Sequence, residues 1–88
     1  MTWRIVYTKA AVSDIPKLKA AHLPEKAQKR IVLLAADPFQ NPPPYEKLRG
    51  NLKGAYARRI NIRHRLVYEV IETARTVKIL SLWTHYGD

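Results

Sequence analysis

Seven acidic residues are scattered along this chain, at positions 14, 25, 37, 46, 69, 72 and 88, and one of them, Glu46, stands alone in a basic segment. Residues 45–68 surround it with Lys47, Arg49, Lys53, Arg58, Arg59, Arg63 and Arg65. Within that segment, RRINIRHRLVYEV (58–70) places four arginines and a histidine in its first eight positions, then continues as a strand pattern. A carboxylate among cations has two readings, a charge-balancing ion pair or a general base for a hydroxyl proton. The arginines either splay into solvent or hold a phosphate, which the planar guanidinium fork grips well. The closing WTHYGD sets His85 beside Tyr86. A histidine exchanges a proton near neutral pH, and a tyrosine can stack on a base or orient a phosphate. A plain surface histidine is the simpler alternative.

Other chemistries lack their residues. The chain has no cysteine, no spaced histidine pair, no glycine-rich phosphate loop and no G-x-S-x-G. Its acids form no cluster in sequence that suggests a pair of metals. No metal site and no cofactor is expected. Phosphodiester cleavage by this set would be metal-free, a route suited to RNA, whose 2′-hydroxyl is a built-in nucleophile. It needs a base for that hydroxyl, cationic donors for the crowded phosphate and an acid for the departing 5′-oxygen. Glu46, the arginines and His85 supply one of each. His22 reads as a helix-edge residue, and His64 as a support at a strand start.

These residues need elements to position them. TWRIVY (2–7) reads as a strand. From Lys9 onward, Ala11, Ile15, Leu18 and His22 fall at helical spacing, with a kink or restart expected at Pro16 and Ser13-Asp14 as the cap of the restarted helix. A second helix starts at Pro24, buries Ala27, Ile31, Leu34 and Ala35, and stops at Asp37-Pro38. QNPPPYE (40–46) is a rigid connector. Strands then follow around 46–49, 55–61, 64–71 and 76–85, with turns at GNLKG and IETAR. The order β-α-α-β-β-β-β defines an α+β domain spanning residues 1–88: two N-terminal helices on one face of a twisted, mainly antiparallel sheet. In strand 64–71, Leu66, Tyr68 and Val70 share one face, and Arg65, Val67, Glu69 and Ile71 the other. A hairpin folded about residue 62 sets Arg59 opposite Arg65, a repulsive pair unless an anion lies between them.

Composition points to an anionic partner. Sixteen Lys and Arg against seven Asp and Glu give a net charge of +9 over 88 residues, of which 47% are apolar. Arginine bias with interleaved Tyr45, Tyr56 and Tyr68 favours a phosphate-binding surface. The N-terminus has no apolar signal core, and the longest apolar run, IVLLAA (31–36), is too short to span a bilayer, so a soluble, cytoplasmic protein with no membrane role is expected.

Taken as a string, YEKLRGNLKGAYARRINIRHRLVYEV followed by WTHY resembles the Txe/YoeB-type toxins of the RelE/ParE superfamily, toxin halves of bacterial toxin–antitoxin modules. The likeness covers residues 38–86 closely and the N-terminal half in pattern. It implies a RelE-like, microbial-ribonuclease-like fold and a ribosome-dependent endoribonuclease acting on mRNA. It further implies Glu46 as general base, Arg65 at the transition-state phosphate, His85 as general acid and Tyr86 positioning the scissile nucleotide. Arg59 and Arg49 match supporting phosphate contacts, and Lys53, Arg58 and Arg63 are expected to add to the RNA-binding surface. The implied partners are the ribosome, mRNA and a cognate acidic antitoxin, through which the complex is expected to bind operator DNA. Ala57 stands where a serine is common in the family, and Gly87-Asp88 extends past its usual ending. A gyrase-poisoning toxin of the same superfamily, or a non-catalytic basic nucleic-acid-binding module, are the alternatives. Neither accounts for Glu46 and His85 accompanying the arginines.

Overall fold

The computed structural model describes residues 2–42, 44–48, 54–61 and 63–85, with Thr84 and His85 described by backbone alone. After strand β1 (Arg4–Tyr7), Thr8 caps helix α1 (Lys9–Ala20), its hydroxyl accepting the Ala11 N–H at 3.1 Å. The helix runs unbroken through Pro16, where the sequence predicts a kink or restart. Proline costs an interior helix about 3 kcal/mol through its missing donor and its ring. Here that cost is met by the burial of Ala11 and Leu18 and by Asp14, which lies 7% exposed in the same stripe. Asp14 therefore takes the buried place expected for Ile15, which is 37% exposed. Ser13 and Asp14 do not act as a second cap: the Ser13 hydroxyl donates to the Ala10 carbonyl, and Asp14 bonds to the sheet.

Helix α2 (Pro24–Ala36) has proline in its first turn and buries Ala27, Ile31 and Leu34, with Ala35 half-buried. The chain then forms β2 (Tyr45–Lys47), β3 (Ala55–Arg59), β4 (His64–Ile71), a 3-10 turn at Glu72–Ala74 and β5 (Thr76–His85). Strands β4 and β5 fall where the pattern places them, while β1 and β3 are shorter than expected. Gly54 enters β3 at φ +94°, a left-handed angle that glycine adopts without penalty. The rest of the expected GNLKG turn lies outside the described residues. The sheet order is β1-β5-β4-β3-β2, antiparallel throughout except for β1, which pairs parallel to β5.

The two helices cover one face of this sheet. Ala11, Leu18, Ala27, Ile31 and Leu34 pack on Leu66, Tyr68, Val77, Ile79 and Leu82. The other face carries a smaller apolar floor of Ala55, Ala57 and Val67, flanked by Leu48 and Leu80. This is the α+β architecture expected. Among the described residues, no helix is long and apolar enough to cross a membrane.

Tyr68 lies fully buried, its hydroxyl donating to the Pro38 carbonyl at 3.0 Å. Burial pushes its pKa up from 10.0 to about 12, partly offset by the Arg58 guanidinium beside it. The folded protein thus favours the neutral phenol, a contribution complete below pH 10.0 and lost as pH rises through about 12. We expect Tyr68→Phe to be about 1 kcal/mol less stable than wild type at pH 8, through the lost hydrogen bond. Between the unfolded and folded pKa values that deficit should vanish and reverse in urea unfolding, because only in the wild type does the unfolded chain ionise a phenol that folding must reprotonate. A deficit constant with pH would contradict the shift.

Candidate active site

The site begins at the edge strand. Successive residues of a strand alternate faces, and Tyr45 is committed to the helix side. Its ring lies 6.0 Å from Phe39 and 5.8 Å from Tyr56, with the Arg58 guanidinium 5.0 Å above it. Glu46 must then emerge on the opposite face. Register places it against Ala57 of β3, which in turn faces Val67 of β4. Arg65, two residues before Val67, reaches across β3 and donates from Nη1 to Glu46 Oε1 at 2.9 Å. Ala57 lies on the same face between them, and its single methyl leaves room for the arginine to cross.

The next register position supplies the second cation. Arg59 sits directly opposite Arg65, as the hairpin reading predicts. The turn between them is tied by Asn61, whose Oδ1 accepts the Arg63 and His64 N–H groups at 2.9 and 2.7 Å. From the helix layer, Arg30 Nε donates to the Arg59 carbonyl at 3.1 Å, fixing the end of β3. On the other side of β4, the last residues of β5 run alongside: Thr84 is the register partner of Arg65, and His85 that of His64. The backbone of His85 therefore lies on the strand next to Arg65, one register step away.

The Glu46 side chain is 53% exposed and that of Arg65 is 21% exposed. A pair so open to water contributes about 0.2–1 kcal/mol to stability. The sheet does not depend on it. What the pair does is hold a carboxylate and a guanidinium in contact at an open face, with a second arginine one strand away.

Not every expected residue joins this face. Arg63 is exposed in the β3–β4 turn. His64 is buried as a support, its ring stacked 3.9 Å from that of Trp83, and His22 follows the end of α1 with φ +58°. Arg49, Lys53 and Tyr86 lie outside the described residues, as does the side chain of His85. The expectation for Arg58 is overturned. It is 1% exposed on the helix side, and its Nη2 donates to the carbonyls of Pro38 at 3.1 Å and Gln40 at 2.7 Å. Its place in β3 gives it the face opposite Arg59, so it cannot share a phosphate with Arg65. The tyrosines are corrected with it: Tyr45, Tyr56 and Tyr68 form a cluster with Phe39 on the helix side, and Tyr68 is fully buried. The sequence leaves Asp14 unassigned as a buried group, although its place at helical spacing between Ala11 and Leu18 is the available signal.

The family described as the YoeB-like toxin of bacterial type II toxin–antitoxin systems matches residues 7–86, and the chain belongs to that family. It is a type II toxin. Over 66 residues it is 44% identical to the toxin YoeB of a Synechocystis strain, covering 70% of this chain and 74% of that protein. The fold matches a YoeB/ParE toxin from Agrobacterium tumefaciens with a TM-score of 0.82 at 27% identity, over 94% of this chain and 99% of the other. It also matches the heterotetrameric YoeB–YefM toxin–antitoxin complex of Staphylococcus aureus, with a TM-score of 0.77 at 29% identity, over 98% of this chain and 100% of the other.

The two neighbouring arginines of β3 and its turn separate a structural role from a surface one. Arg58→Met should cost about 2–4 kcal/mol in chemical denaturation, since it removes two hydrogen bonds to the connector, at Pro38 and Gln40, and the cation over the Tyr45 ring. Arg63→Met, at an exposed site, should fall within about 0.5 kcal/mol of wild type. Equal costs for the two would contradict the assignment of Arg58 to the core.

Proposed function

We propose that this toxin is an endoribonuclease that cuts mRNA on the ribosome and so halts translation. The observation that supports it most is the contact of Arg65 with Glu46 at 2.9 Å on an open face, with Arg59 opposite Arg65. In this reading Glu46 removes the 2′-hydroxyl proton, and the 2′-oxygen attacks the adjacent phosphorus. Arg65 and Arg59 take up the charge that grows on the phosphate oxygens. The bond to the 5′-oxygen breaks, and His85 gives that oxygen its proton. The products are a 2′,3′-cyclic phosphate and a 5′-hydroxyl, with no other reactant consumed. A guanidinium offers five N–H donors in a fixed fork, which suits Arg65 to orient Glu46 and meet a phosphate from one position. Tyr86 positions the scissile nucleotide, and Arg49, Lys53 and Arg63 add cationic contacts to the strand.

The groups come from separate strands and act on a flexible substrate, so alignment is the costly part of the reaction. A ribosome that presents mRNA in a fixed conformation would supply it. The S. aureus relative was solved in complex with its antitoxin YefM. For this chain a cognate acidic antitoxin is the corresponding partner: a disordered acidic segment that folds over the arginines would block the phosphate site. Through that antitoxin the complex would bind operator DNA. The proposed setting is the cytoplasm.

Primer extension on a defined mRNA in a purified translation system tests this. Wild type should cut within the ribosomal A-site codon. Glu46→Ala and Arg65→Ala should each slow cutting by about 10²–10⁴-fold with thermal unfolding little changed, since the pair contributes little to stability. Intact mRNA under continued translation with wild type would remove the proposal.

A further inference from the structure

Strand β5 is longer than the strand it pairs with. Moving along β4 from Tyr68 to Val67 takes the partner on β5 from Ile79 to Ser81, and from Val67 to Arg65 takes it from Ser81 to Thr84. Over this stretch β5 therefore carries two more residues than β4. Extra residues at a bulge are left out of the ladder, so their backbone groups need other partners, and the bulge sets the register of every later pair. Beyond it, Thr84 lies beside Arg65 and His85 beside His64.

The start of α1 supplies those partners. The Thr8 hydroxyl donates to the Leu80 carbonyl at 3.1 Å. Asp14 Oδ2 accepts the Leu82 N–H at 3.0 Å and the Ser81 hydroxyl at 3.3 Å, and Ser81 Oγ in turn accepts the Trp83 N–H at 3.4 Å. Lys17 Nζ approaches the other carboxylate oxygen at 3.4 Å. A carboxylate only 10% exposed is thus spent on β5 rather than on solvent. An apolar residue would fill the same stripe beside Ala11 and Leu18 but would leave the buried Leu82 N–H without this acceptor. The carboxylate's geometry serves the bulge.

We propose that Asp14 is a positioning residue for the cleavage reaction: by holding the β5 bulge at Ser81 and Leu82 it sets where His85 stands relative to Arg65. This rests on the nuclease reading, with His85 as the acid. Asp14 touches no substrate and acts through the strand. Asparagine should replace it, because an amide oxygen can still accept from the Leu82 N–H and the Ser81 hydroxyl, and only the contact with the exposed Lys17 ammonium is lost. Alanine removes both acceptors.

The test combines kinetics with amide hydrogen exchange on Asp14→Ala, Asp14→Asn and wild type. With Asp14→Ala, kcat for mRNA cutting in a translation system should fall about 10–100-fold with KM within about twofold, as for lost alignment without lost binding. Exchange at Trp83, Thr84 and His85 should quicken about tenfold or more relative to β3 amides. Asp14→Asn should restore both to within about threefold. If Asp14→Ala does not fold, Ser81→Ala, which removes one of the two β5 donors to Asp14 and the acceptor of the Trp83 N–H, should show the same pattern more weakly. Wild-type kcat in Asp14→Ala, or kcat, KM and β3 exchange all shifting together, would overturn the proposal by showing no role or only a global one. A wild-type protein that leaves mRNA intact would instead sink the nuclease reading. The exchange comparison would then still decide whether Asp14 holds the strand end.

Discussion

The fold turns on a buried cation. Arg58 sits 1% exposed between the sheet and the connector, bonded to the Pro38 and Gln40 carbonyls. Taking a guanidinium out of water is costly unless its donors find strong acceptors. Here the acceptors belong to the segment that must deliver β2. A proline-rich connector makes few hydrogen bonds of its own. Arg58 and the Tyr68 hydroxyl supply them from the sheet, both converging on the Pro38 carbonyl. Once the connector is pinned, Tyr45 drops into the aromatic cluster and Glu46 has only the open face left to occupy. The lone acid of the basic segment owes its place to an arginine on the other side of the sheet.

That division of faces explains how a small domain tolerates its charge. Arg59 and Arg65 stand opposite one another, an arrangement that destabilises a sheet. The side that holds the molecule together is the other one, where two helices bury Leu66, Tyr68, Ile79 and Leu82. The open face contributes only a thin apolar floor of Ala55, Ala57 and Val67. Small residues there serve a second end, since a larger side chain at position 57 would stand in the path of Arg65. Stability is concentrated on one face and electrostatic strain on the other, the expected arrangement where a site is built against the local rules.

Much of this is legible in the sequence because it is periodic. Alternation assigns the faces of β4, and the hairpin symmetry of RRINIRHR sets Arg59 against Arg65, where the register has them. The helices and the order of elements come from spacing and stop signals. The misreadings share one cause. Arg58, the three tyrosines and Asp14 are each misjudged by residue type, and each is decided by a long-range contact. Strand parity alone puts Arg58 on the face opposite Arg59, so the signal exists, but an arginine's usual place at the surface outweighs it. Asp14 lies 68 positions before the Leu82 N–H it accepts, and no local pattern carries information across that distance. The family resemblance supplies roles for Glu46, Arg65 and His85 that spacing alone leaves open.

The helix layer is usually described as a cover for the core, yet each helix also reaches the strands of the site. From α2, Arg30 ties the last carbonyl of β3, at Arg59. From α1 and its cap, Asp14 and Thr8 tie the irregular part of β5. The connector after α2 is tied to β3 by Arg58, and the β3–β4 turn is closed by Asn61. Strands β3, β4 and β5 are therefore each fixed by a polar contact near the candidate group they carry, and β2 through the connector before it, in addition to their ladder bonds. Apolar packing tolerates shifts of a few tenths of an ångström, whereas short hydrogen bonds to named atoms do not. A site assembled from four strands needs that second kind of restraint, and two buried charged side chains, Asp14 and Arg58, help supply it.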